Sequence, residues 1–206
     1  MTKRSQVPDF EFQLLSVILV VGMFLTTVAI ADDPEIYVTA ADGSDIQQLT
    51  RHRGFDGSPA WSPDGKRITF VRDTDPPATG PLYPTRRKSI YVMHSDGSNV
   101  QRITHTPVRD AGSFAPEWSP DGQKIVFDST RDGNFEIYVI DADGSNVQRL
   151  THNDKSDARP AWSPDGQRIV FHSRRDGKSE IYVMDADGGN VEQLSNNHFD
   201  GHHPDW

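Results

Sequence analysis

The 206-residue chain is short enough for a single domain to be the default expectation. Its 21 basic and 30 acidic residues give a net charge of −9, which disfavours nucleic acid and anionic lipid as partners. Because the chain has no cysteine, it contains no disulfide, no thiolate metal site and no cysteine nucleophile.

Residues 1–31 have the pattern of an export signal. Two basic residues lie near the start, and segment 14–25 is almost wholly apolar. The small residues Ala29 and Ala31 follow, separated by one position. This pattern predicts a signal peptide cleaved after Ala31. The alternative is an uncleaved helical anchor, because the apolar stretch extended to Ala31 reaches the lower length limit for a membrane-spanning helix. Both interpretations place residues 32–206 outside the cytoplasm, in the periplasm or the extracellular space.

The rest of the chain is organised by a repeated motif, Trp-Ser-Pro-Asp-Gly. Its tryptophans stand 57, 44 and 44 residues apart, and the last of them, Trp206, is the final residue. A period near 44 residues suits the four-stranded blade of a β-propeller. The residues that define the complete motifs are Trp61, Pro63, Asp64, Gly65, Trp118, Pro120, Asp121, Gly122, Trp162, Pro164, Asp165 and Gly166.

One repeat predicts four short strands, at about 160–163, 168–171, 180–184 and 191–194. Pro-Asp-Gly makes the first turn, because Pro suits the first corner and Gly accepts positive φ. The second and third strands are apolar on both faces, so each sheet is expected to pack between two neighbours.

The fold class predicted is therefore all-β, an incomplete propeller of four-stranded blades preceded by an N-terminal signal or anchor helix. Residues 35–50 supply two strands of a first blade, three full blades follow at about 59–104, 116–151 and 160–195, and the tail begins another. A truncated or fragmentary chain, a small closed propeller and a piece completed by another chain all remain open. An open arc exposes apolar faces, so self-association or aggregation is expected.

At these residues the chain resembles the PD40, or TolB-like, propeller repeat family, over about residues 35–206. The family includes periplasmic components of Tol–Pal envelope systems that contact other envelope proteins. The resemblance implies a rigid binding scaffold with an envelope protein as partner, and membership of a Tol–Pal system stays open.

No catalytic motif accompanies the repeats: Gly-x-Ser-x-Gly, Gly-x-Gly-x-x-Gly and phosphate loops are all missing from the sequence. We expect an exported, non-catalytic scaffold for protein–protein interaction or self-association, with membrane contact only through the N-terminal segment. The alternatives are a propeller fragment of a larger exported peptidase of the prolyl-oligopeptidase type and a calcium-dependent assembly module.

One face of the predicted propeller gathers the departures from the repeat. The span from Phe70 to Tyr91 has ten residues more than its counterparts, placing a Pro-rich insertion at 74–84 between the second and third strands. Insertions of this kind mark the loop face that often binds. The loops entering each first strand share that face and carry aspartates at Asp56, Asp110, Asp157 and Asp200, and histidines at His52, His105, His152 and His198.

These side chains are weak candidates for a metal site. The aspartates suit a hard cation such as calcium, but side-chain hydrogen bonding in a turn fits their recurrence in every blade better. The run 141–146 is interpreted as a hairpin turn because it lacks the Gly and Glu of a calcium loop. His198, His202 and His203 lack supporting ligand spacing. No cofactor is predicted, with calcium as the weak exception.

Overall fold

The computed structural model describes residues 24–28, 34–52, 54–74, 87–105, 111–195, 204 and 206, with backbone only for 24–28. These residues form fifteen strands in four antiparallel sheets, and every described element is a strand. The first sheet contains β1 (Phe24–Val28), β2 (Glu35–Thr39) and β3 (Gln47–Gln48). The second contains β4 (Asp56–Trp61), β5 (Arg67–Asp73), β6 (Lys88–His94) and β7 (Gln101–Arg102). The third contains β8 (Ser113–Trp118), β9 (Lys124–Ser129), β10 (Glu136–Asp141) and β11 (Gln148–Arg149). The fourth contains β12 (Asp157–Trp162), β13 (Arg168–Ser173), β14 (Glu180–Asp185) and β15 (Glu192–Gln193).

The three predicted full blades are confirmed, since in each complete sheet the strands lie side by side in chain order. The predicted N-terminal helix is replaced by a strand where the structure describes it, because β1 pairs along the whole of β2. Two threonines and a valine favour a strand at 24–28. Pairing with β1 also satisfies the backbone groups of β2, which would otherwise be the open edge of the first sheet. The other leader residues, with the predicted cleavage site, lie outside the described residues. Within those described, no helix is long and apolar enough to cross a membrane.

Apolar side chains between successive sheets form three separate cores. Between the third and fourth sheets, Ile137 and Leu150 pack with Trp162 and Phe171. The second and third sheets pack in the same way around Ile90 and Phe127, and the first and second around Ile36 and Phe70. The second and third sheets are therefore buried on both sides by their neighbours, as the apolar pattern of the second and third strands predicted.

The four sheets form an open arc. Each sheet contacts the next one, but the described strands of the first and fourth sheets make no contact with each other. Among the described strands, therefore, no contact closes a four-bladed ring, which was one of the alternatives left open by the sequence. The predicted strand in the tail is seen only as Pro204 and Trp206, and neither residue lies in a strand.

The motif residues form one turn repeated at Ser62, Ser119 and Ser163. In each copy the serine hydroxyl donates to the aspartate two residues later, at 2.6 Å, and accepts the N–H of the first residue of the next strand at 2.9 Å. The glycines of the motif have φ of 68°, 68° and 69°, which a residue with a Cβ rarely adopts. These contacts explain why Ser, Asp and Gly recur together.

Trp118 of the motif ties the third sheet to the second. Trp118 Nε1 donates to the carbonyl of Ala60 at 3.2 Å, and the Arg67 guanidinium lies 4.5 Å from the Trp118 ring centroid. Trp206 repeats both contacts on the fourth sheet, with Nε1 3.3 Å from the Ala161 carbonyl and Arg168 at 5.0 Å. Trp206 thus occupies against the fourth sheet the position that Trp118 occupies against the second.

Candidate functional site

The first strand of each complete sheet is interrupted by a β-bulge. The pairing register shifts three residues before each motif tryptophan, at Ser58, Ala115 and Arg159. These residues have φ of 50°, 45° and 55°, in the left-handed region that residues with a side chain seldom occupy. Bulges often lie next to functional sites, where they re-aim side chains.

The three bulged strands converge on a cavity of about 720 Å³, which we call the inner cavity. Besides the bulges, its lining includes Ser156 in the loop before β12 and Arg174 in the turn after β13. It therefore lies on the face that the insertion pattern singled out, although the insertion itself, from residue 75 onward, is outside the described residues. The volume falls in the range typical of ligand sites in proteins.

Aromatic and proline side chains give the inner cavity an apolar wall. Phe114 and Phe135 lie with ring centroids 5.6 Å apart at 60°, and a proline follows each bulge residue, at Pro59, Pro116 and Pro160. The Lys88 ammonium lies 5.8 Å from the Phe114 centroid, so this ring already faces one cation. Rigid apolar groups of this type bind with little loss of side-chain entropy.

Asp128, on β9, is the buried charged group of the inner cavity, with 2% of its surface exposed. One carboxylate oxygen accepts the main-chain N–H of the bulge residue Arg159 at 2.8 Å, across the junction between the third and fourth sheets. Burial raises the pKa of Asp128 to about 6, and the bond from Arg159 offsets this only in part. A strongly perturbed carboxyl in a cavity marks a candidate binding site.

Of the four predicted ring aspartates, the structure describes Asp56 and Asp157, and each is paired with an arginine of its own sheet. Asp56 forms a two-fold ion pair with Arg72, at 2.7 and 2.6 Å, and Asp157 bonds to Arg175 at 2.8 Å; both carboxylates are fully buried. They hold the start of a first strand within their own sheet, so a cation there would have to displace an arginine. The position equivalent to them in the third sheet is Ser113, whose hydroxyl accepts from an arginine at 3.3 Å. Asp110 and Asp200 lie outside the described residues.

The other metal candidates also give no cluster. The main-chain N–H of His52 donates to Glu35 at 2.6 Å, while His105 and His152 are exposed. His198, His202 and His203 lie outside the described residues. The run 141–146 is a turn, as predicted, in which Asn146 donates to Asp141 at 2.7 Å. Within the described ranges, no group of three potential metal ligands is found.

Sequence reasoning missed Asp128 and the bulges. The signal for Asp128 was present, because the position ten residues after the motif tryptophan is Val71 in the second sheet, Asp128 in the third and His172 in the fourth. A charged residue inside an apolar strand is a departure from the repeat. The bulges leave no comparable signal, since Ser58, Ala115 and Arg159 share no side-chain property.

Four antiparallel sheets stacked as blades, three of which line an inner cavity, define a partial β-propeller. Residues 109–206 match the family described as the TolB β-propeller domain, PD40. This part of the chain, just under half of its length, is thus similar to the TolB-like, PD40 propeller-repeat family.

Similar proteins include both TolB proteins and a peptidase. The Tol-Pal system protein TolB of Bordetella pertussis is 34% identical over 56% of this chain and 35% of its own length. The crystal structure of TolB from Acinetobacter baumannii has 26% identity and a TM-score of 0.69, covering 84% of this chain and 40% of that one. The uncharacterized peptidase YuxL of Bacillus subtilis is 32% identical over 44% of this chain and 12% of its own. The chain thus spans a minor part of each relative.

Proposed function

We propose that this protein is an exported, non-catalytic scaffold of the cell envelope that binds a segment of a partner protein in the inner cavity. The observation that carries the proposal is the cavity itself, formed by three bulged strands with aromatic and proline walls and a buried carboxylate. The similarity to TolB proteins, one of them described as a component of a Tol-Pal system, supports the envelope and a protein partner. No side chain of a catalytic motif is needed for this role.

The test is a selection of peptides on the full chain from a random 12-residue phage library, followed by binding of the enriched peptides in solution. Ala158 lines the cavity and is half-buried, so Ala158→Trp fills the space with an indole. Ser145→Trp adds the same group at an exposed turn. We expect at least tenfold weaker binding to Ala158→Trp and unchanged binding to Ser145→Trp. Failure to enrich any peptide, or equal binding by both variants, contradicts the proposal.

The second candidate is the propeller part of a larger exported peptidase, favoured by the similarity to YuxL. It predicts that the reading frame continues beyond Trp206 into a domain with a Gly-x-Ser-x-Gly nucleophile turn. The genomic sequence downstream of codon 206 distinguishes the two candidates.

A further inference from the structure

The second carboxylate oxygen of Asp128, Oδ1, is buried and has no hydrogen-bond partner among the described residues. The first oxygen is held by the N–H of Arg159. A buried acceptor without a donor costs on the order of 1–3 kcal/mol, so such atoms in native proteins call for an explanation by water, an ion or a ligand.

The architecture of the repeat does not require a carboxylate here. The same register position holds Val71 in the second sheet and His172 in the fourth, and both of those sheets form the same four strands and the same bulge. By contrast, the buried glutamates Glu136 and Glu180 each accept a hydroxyl of the fourth strand's end, which is a contact repeated between sheets. Asp128 is therefore a feature of one site.

The surrounding charges leave Asp128 as the buried anion of the cavity. Arg159 and Arg174 line the cavity and are exposed, and the positive charge of Arg159 offsets the cost of burying Asp128 only in part. Glu117 accepts the main-chain N–H of Trp162 at 3.0 Å, and His172 is hydrogen-bonded to Ser179. A hard metal ion requires several oxygen ligands, and no cluster of three ligands is present in the described structure.

We propose that Asp128 recognises a basic side chain, lysine or arginine, on the protein segment that binds in the inner cavity. This inference rests on the proposed function and names the chemistry of its partner. A cation supplies the donor that Oδ1 lacks and compensates a buried charge better than a neutral group does. The rings of Phe114 and Phe135 contact the methylene stem of such a side chain, and their faces attract its charge.

The experiment repeats the 12-residue phage selection at pH 7.5 on the full chain and on two variants. Asp128→Asn removes the charge while keeping the size of the side chain. Asp143→Asn makes the same change at an exposed turn outside the cavity. We expect peptides from the native chain and from Asp143→Asn to share a lysine or arginine at one position, and peptides from Asp128→Asn to lack it. Melting curves verify that each variant is folded.

A consensus peptide and its analogue with norleucine in place of the basic residue give the quantitative test. On the native chain we expect the analogue to bind at least tenfold more weakly, whereas on Asp128→Asn the two peptides bind alike. Equal binding of both peptides to the native chain, or an unchanged preference on Asp128→Asn, overturns the inference and assigns Oδ1 to a bridging water. If peptides bind the cavity without a basic residue, the inference fails and the proposed function stands; if none bind, the proposed function fails.

Discussion

At the scale of single residues, buried polar groups in this protein are of two kinds. One kind recurs from sheet to sheet: the buried Thr50 and Thr151 each donate to a glutamate at 2.5 Å and accept a main-chain N–H at 2.9 Å. These contacts hold the end of the fourth strand to the third in several sheets. The other kind occurs once, as Asp128 does. Comparison of the repeats within one chain therefore separates residues of the architecture from residues of a site.

The raised pKa of Asp128 predicts a measurable pH dependence of stability. A folded-state pKa of about 6, above the ordinary 3.8, means that the native protein holds a proton that the unfolded chain releases. The ionisation of Asp128 therefore lowers the free energy of unfolding as pH rises from about 4 to 6, and above pH 6 this loss stays constant. We expect the free energy of unfolding of Asp128→Asn, relative to native, to rise by on the order of 3 kcal/mol between pH 4 and 7. Urea unfolding across this pH range measures it.

Asp64 is a control of opposite sign. Hydrogen bonds from Ser62 and from the main chain of Lys66 hold the pKa of Asp64 below its usual value. Its charge therefore stabilises the fold at neutral pH, and that contribution is lost as the pH falls through its lowered pKa. Asp64→Asn is thus expected to lose stability relative to native as pH rises. Curves for Asp128→Asn and native that run parallel between pH 4 and 7 would contradict the assignment.

The sequence predicted the residues of the motif turn but not the roles of the aspartates. Asp64, Asp121 and Asp165 recur at one spacing and do form one turn. Asp56 and Asp110 were grouped by proximity to the loops, although they stand five and eight residues before their tryptophans. A bulge shifts the pairing register of a strand by one residue, and the side chains at the three bulges share no property that would predict the shift. Positions counted from the tryptophan are reliable; positions read from loop composition are not.

At the scale of elements, the turn between the third and fourth strands docks each sheet onto the preceding one. A Cβ at Gly188 would lie 2.8 Å from the carbonyl oxygen of Leu150, and one at Gly97 would lie 2.9 Å from that of Leu49. Both glycines have positive φ, 91° and 84°. The recurrence of Asp-Gly in this turn thus has two causes, the conformation of the turn and the close approach of a neighbouring backbone.

Gly188→Ala and Gly177→Ala separate these two causes. Gly177 has a φ of 84° but would have no atom within 4 Å of an added Cβ. We expect Gly177→Ala to cost about 1–2 kcal/mol from backbone conformation alone. Gly188→Ala adds an overlap with the backbone of Leu150, which the sheets relieve only by moving apart, at about 1–3 kcal/mol more. Denaturant unfolding of both variants measures the difference; equal losses would show that the sheet junction is loose.

The second and third strands were the elements best predicted from sequence, because runs such as Arg168–Ser173 are apolar on both faces. The first strands were predicted too short, since their opening residues are polar and pair through Asp157 and its arginine. β1 was not predicted at all. Apolar residues such as those of 24–28 suit a helix or a strand equally by composition, and pairing with the edge of β2 decides between the two structures.

At the scale of the whole molecule, the arc repeats one junction three times and then stops. Ile103 and Leu150, which follow the fourth strands of the second and third sheets, are 4% and 7% exposed because the next sheet covers them. Leu194 holds the same place in the fourth sheet and is 57% exposed. The period of the sequence predicted the sheets, their order and an incomplete propeller.

The exposed face of the fourth sheet predicts self-association, which Leu194→Asn is expected to weaken by about tenfold, given the apolar area of one leucine. Val147→Asn is the matched control, because Val147 is 44% exposed but lies in a turn of the third sheet, whose face is covered. Sedimentation velocity of the full chain over a range of concentrations measures the association. If the native chain stays monomeric throughout, or if both variants weaken association equally, the end of the arc is not the contact. If only Leu194→Asn weakens association, the second copy packs on the fourth sheet in the place of a next blade. Leu194 is then buried by the second copy, as Leu150 is buried by the fourth sheet.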